Sequence, residues 1–142
     1  MLFVDAPKTA RSDTSADSST RIDTVQAAVE LFCSLRQAPR EVAAFAYLDP
    51  DWRLLGLRHT PAGGSDSVRL SIRDIAADAI ILAASNVVMA HNHPSGDPVP
   101  SGADLDATRR IARALAALEV RLIDHVIVAR HGHSSFRSLG LL

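Results

Sequence analysis

The stretch that most constrains this chain is "NVVMAHNH", residues 86–93. Val87, Val88, Met89 and Ala90 form an unbroken apolar run, the pattern of a central strand buried on both faces. His91 and His93 stand at its C-terminal end. On an extended backbone, residues two apart project to the same side. Both imidazoles can therefore reach one metal ion, while Asn92 points elsewhere.

A buried central strand needs neighbours, and the rest of the chain offers them. Val25, Ala28, Leu31, Phe32 and Leu35 recur at helical spacing, with Asp23 or Thr24 able to cap the start. "EVAAFAYLD" and "RLLGLRHT" read as two strands of a hairpin turned at "DPDW". "PAGGSD" reads as loop and "SVRLS" as a short extended segment, followed by helical periodicity in "IRDIAADAIILAAS". After the histidine strand come a loop, a long Ala/Leu/Arg-rich helix, the apolar strand "VRLIDHVIVAR", and a short last strand within "HGHSSFRSLGLL". The order α-β-β-β-α-β-α-β-β predicts an α/β domain, a mixed sheet flanked by helices. A length of 142 residues suits one domain. Residues 1–20 are small and polar and read as a flexible tail, which leaves residues 21–142 as the domain.

The segment after the histidines sharpens the metal reading. Pro94, Pro98 and Pro100 stiffen the loop by fixing φ. Ser101 precedes the helix, and Asp104 falls in its first turn, where a carboxylate is favoured by free N–H groups and the helix dipole. Alone, Ser-x-x-Asp is a capping box, and alone the histidines are a polar strand end. Together, His91, His93 and Asp104 give two nitrogens and one carboxylate from a single strand-loop-helix unit. Three protein ligands that leave the fourth position to water describe a catalytic zinc site. A water there has its pKa lowered to about 7 and needs a base to take its proton. Glu41, at the start of an apolar strand, is a candidate base; a solvated strand end is its plainer reading.

Other chemistries find less support. The single cysteine, Cys33, can form no internal disulfide or Cys-based metal site and reads as a buried, inert thiol in a helix. A zinc deaminase would need two cysteines. A net charge of −1 gives no general electrostatic reason to bind nucleic acid. No apolar run suits a signal peptide or membrane span, so the expected location is cytoplasmic. His131 and His133 have no carboxylate at useful spacing and read as exposed loop. Asp124, beside His125 in an apolar strand, is a candidate to accept a ligand histidine's second N–H, with a purely structural Asp-His pair as the alternative.

"HNHPSGDPVPSGADLD" resembles the JAMM/MPN+ metalloprotease pattern, with Glu41 as the separate upstream Glu. It is more closely similar to the RadC family, through "REV" at residues 40–42, "IRDI" at 72–75, "DHVIV" at 124–128 and the ending "SFRSLGLL". The resemblance spans roughly residues 22–142. It implies the JAB/MPN fold, similar to cytidine deaminases, with zinc ligands His91, His93 and Asp104. It implies Glu41 as the acid/base residue and Ser101 as a donor to the oxyanion of a tetrahedral intermediate. RadC proteins commonly carry a helix-hairpin-helix-like region for which these 142 residues have no room, so no DNA-directed role is read from one. The expected function is zinc-dependent hydrolysis of a peptide or isopeptide bond. The alternatives are a non-catalytic RadC-like interaction module and a DNA-repair-associated factor.

Overall fold

The computed structural model describes residues 20–60 and 71–142. All but the last residue of the expected tail over residues 1–20, the "PAGGSD" loop and nearly all of "SVRLS" lie outside the described residues. The chain runs through helix α1 (Val25–Leu31), strands β1 (Ala43–Leu48) and β2 (Leu54–Thr60), helix α2 (Ile72–Ile81), strand β3 (Asn86–His93), helix α3 (Gly102–Ala116), and strands β4 (Arg121–Ala129) and β5 (Gly132–Ser135). The five strands form one sheet in the order β2-β1-β3-β4-β5. β3 is parallel to β4 and antiparallel to β1, so the sheet is mixed as expected, and α3 is the crossover between the parallel pair.

Strand alternation sorts the core into two layers. Ala44, Ala46, Val88, Ala90 and Val126 face α1 through Ala28, Val29 and Phe32. Ala43, Phe45, Tyr47, Val87 and Met89 face α2 and α3 through Ile75, Ala79, Ile111 and Leu115. His91 and His93 continue the Val87–Met89 row, so they emerge on the α3 side of the sheet. Among the described residues, no helix is long and apolar enough to cross a membrane.

Local signals set the helix starts. The Thr24 side chain accepts from the Ala27 N–H at 3.0 Å, so Thr24 rather than Asp23 is the cap. Ser71 caps α2 in the same way, accepting from Asp74 N–H. The first helix is shorter than its periodicity predicts. It leaves α geometry at Phe32 and tightens into a 3-10 turn, Cys33–Gln37. At three residues per turn, Phe32 and Leu35 both stay on the core while Cys33 rotates outward. Cys33 is therefore exposed, which corrects its reading as a buried thiol.

Candidate metal centre

The pairing of β1 with β3 delivers the upstream glutamate to the histidines. Ala43 lies opposite His91, so two residues earlier on the antiparallel chain Glu41 comes level with His93 and on the same face. Its carboxylate is 4.0 Å from His93 Nε2. The Asp104 carboxylate bridges both rings, Oδ1 at 3.0 Å from His91 Nε2 and Oδ2 at 3.0 Å from His93 Nε2. The two Nε2 atoms are 2.9 Å apart. Glu41, His91, His93 and Asp104 thus present one ligand atom each within 4.8 Å of one another. Tetrahedral bonds of about 2.0–2.1 Å to zinc set ligand atoms roughly 3.3–3.4 Å apart, so this cluster is close to the spacing of a shared ion.

His93 and Asp104 are held from behind. His93 Nδ1–H donates to the Asp97 carbonyl at 2.8 Å, which leaves its Nε2 lone pair facing the cluster. Asp104 belongs to a complete capping box. Ser101 Oγ accepts from Asp104 N–H at 3.2 Å, and Asp104 Oδ2 accepts from Ser101 N–H at 2.8 Å. The capping box and the ligand set expected from the sequence therefore share Asp104, each of whose oxygens also faces a histidine. Burial alone would raise the Asp104 carboxyl. Its hydrogen bonds with His91 and His93 outweigh this and hold it well below the usual carboxylate range. The same contact with Asp104 raises His93, against the opposing effect of burial. Two imidazole nitrogens and a carboxylate this close need a shared cation or proton between them, and the donor set fits zinc.

The proline loop is anchored by the hairpin of β4 and β5. His131 N–H donates to the Gly96 carbonyl at 3.1 Å, and Ser134 Oγ donates to the Pro98 carbonyl at 2.6 Å. Gly96 has φ +89°, and a Cβ there would lie 2.8 Å from the His131 ring. His131 and His133 are exposed and take no part in the ligand cluster, but only His131 lies in a loop as expected; His133 falls within β5.

Two residues that support the site escape the sequence reading. Asn92, between the histidines, points to the opposite face and is almost fully buried. Its Oδ1 accepts from Val42 N–H at 2.7 Å, and its Nδ2 donates to the Ala38 and Arg40 carbonyls at 3.2 and 2.9 Å. Asn92 thereby holds the segment that carries Glu41. The second is His125, whose Nε2 lies 2.6 Å from His91 Nδ1. Asp124 was the candidate for that place, but alternation turns it to the other face. There its carboxylate accepts from the backbone N–H groups of His125 and Arg137 and from Ser135 Oγ. A histidine inside an apolar strand is the signal that could have found His125, but only with the β3–β4 register known.

Residues 22–141 match the RadC-like JAB domain family. The chain belongs to that family. A UPF0758 protein of Thermotoga maritima is 43% identical over 103 residues, which cover 72% of this chain and 46% of that protein. UPF0758 protein BAV2405 of Bordetella avium is 36% identical over 116 residues, 80% of this chain and 52% of its own length. UPF0758 protein SPO0054 of Ruegeria pomeroyi is 40% identical over 113 residues, 78% and 50% respectively. The chain spans about half the length of these curated relatives. Membership in the RadC-like JAB family accords with the mixed sheet and with the histidine–carboxylate cluster at the end of β3.

Proposed function

We propose that this RadC-like JAB domain is a zinc-dependent hydrolase of peptide or isopeptide bonds. The observation that carries the proposal is the convergence of Glu41, His91, His93 and Asp104 within 4.8 Å. His91, His93 and Asp104 would hold the zinc. When bound, the ion supplies Lewis-acid polarisation of a carbonyl and a water of lowered pKa.

The chain's own groups do the rest. Glu41 is partly exposed and beside the three ligands, placed to take a proton from water and return it to the leaving amine. Ser101 Oγ accepts from Asp104 N–H, which leaves its own hydrogen free to donate to an oxyanion at the rim of the site. A non-catalytic interaction module would have no need of a carboxylate 4.0 Å from a ligand histidine.

Metal content of wild type and His93→Ala, purified without chelator, tests the centre. The expected result is about one zinc per chain, lost in the variant, in line with a three-ligand site. Peptide and isopeptide substrates are then screened with Glu41→Gln as control, which should keep the zinc and lose turnover. Wild type that takes up no zinc on addition would sink the proposal.

A further inference from the structure

Behind His91 runs a chain of short contacts that ends on the helix carrying Asp104. His91 Nδ1 is 2.6 Å from His125 Nε2, His125 Nδ1 is 2.6 Å from Thr108 Oγ1, and Thr108 Oγ1 is 2.6 Å from the Asp104 carbonyl oxygen. His125 and Thr108 are both buried, and each His125 nitrogen has one partner. Phe136 stacks on the His125 ring with centroids 4.4 Å apart and fixes its plane.

The direction of every bond follows from the last one. A carbonyl oxygen only accepts, so the single Thr108 hydroxyl hydrogen must go to Asp104. Thr108 Oγ1 then has only lone pairs to offer, so His125 must hold its proton on Nδ1 and donate it. A fully buried imidazole with no carboxylate partner stays neutral, which leaves His125 Nε2 as an acceptor. His91 must then donate from Nδ1, and its Nε2 is left with a lone pair.

We propose that His125 and Thr108 are positioning residues that fix the tautomer of His91, so that its Nε2 lone pair faces the metal centre. The proposal rests on the metal reading above. It makes the two ligand histidines equivalent in logic. His93 is set by one bond to a backbone carbonyl, and His91 by a relay that ends on another. The relay also ties the ligand on β3 to the helix that carries the third ligand, so one arrangement orients both.

The test reads the tautomer itself. In nitrogen-15 imidazole spectra of wild type, metal-free and zinc-loaded, His125 should show a protonated Nδ1 and an unprotonated Nε2. The opposite pattern overturns the proposal, because His91 would then have to accept at Nδ1. Thr108→Val removes the anchor at constant shape and frees the His125 proton to move to Nε2. Zinc affinity, measured by chelator competition, should fall roughly 10- to 100-fold, the usual effect of losing an outer-sphere partner. Thr108→Ser, which keeps the hydroxyl, should restore it. A folded Thr108→Val protein with wild-type zinc affinity also overturns the proposal. Wild type that binds no zinc defeats the metal reading, whereas the ring spectrum of the metal-free protein decides the direction of the relay independently.

Discussion

At the scale of single residues, "HNH" puts three consecutive side chains to two uses. The outer pair belong to the candidate metal centre, and Asn92 between them holds the backbone that bears Glu41. Asn92→Ala would leave the Val42 N–H and the Ala38 and Arg40 carbonyls without their partner. The loss of such a group costs about 1–3 kcal/mol, which denaturant unfolding would measure. Zinc affinity should stay near wild type, because no ligand is touched, while turnover should fall as Glu41 drifts from His93. Equal losses of zinc and turnover would mean that Asn92 acts on β3 itself. The histidine pair is legible in sequence because strand alternation is a local rule. Asn92 is not, because its partners lie 50 or more residues away and only the fold brings them close.

Among elements, the strand-loop-helix unit of β3 and α3 carries the three proposed ligands and a cap in one short stretch, which is why its pattern shows in the sequence. Its cap is also a candidate catalytic group, and the two roles separate by substitution. Glycine at an N-cap costs only a few tenths of a kcal/mol, whereas alanine costs about 0.5–2. Ser101→Gly should therefore keep most of the stability seen in thermal unfolding. If Ser101 donates to an oxyanion, the same variant should lose about 10²–10³-fold in kcat, and Ser101→Thr should retain activity. If Ser101 is only a cap, activity should follow stability across Ala, Gly and Thr. Element boundaries are less legible. The first helix reads as continuous through Leu35 because Phe32 and Leu35 are three apart, a spacing that α and 3-10 turns share. Only the exposure of Cys33 tells them apart.

At the scale of the molecule, the site depends on pairings that no local pattern contains. Antiparallel β1 brings in Glu41, and parallel β4 brings in His125. The resemblance implies only a mixed sheet flanked by helices, and neither pattern nor family supplies the strand order, since periodicity identifies strands and not their neighbours. At the other end of β1 the sheet is fastened to α2 by a buried network. Asp78, fully buried on α2, accepts from Tyr47 Oη at 3.1 Å and from two nitrogens of Arg58 on β2, Nη2 at 2.8 Å and Nε. Burial, and then the Asp78 carboxylate, push the Tyr47 hydroxyl up, so it stays a donor. Arg58→Ala would strand a buried carboxylate, a loss of about 3–5 kcal/mol. Asp78→Ala should cost less, because the Arg58 side chain is 21% exposed and can turn to water. Arg58→Met with Asp78→Leu removes both charges and should recover most of that loss, since buried ion pairs are often replaceable by packed apolar groups. Chemical unfolding of the three variants measures the ranking, and zinc titration completes it. The double variant should bind zinc as wild type does, because Tyr47 and Asp78 lie away from the end of the sheet that holds the histidine–carboxylate cluster. A double variant that unfolds normally yet loses zinc would show instead that the α2 anchor sets the register on which Glu41 and His91 meet.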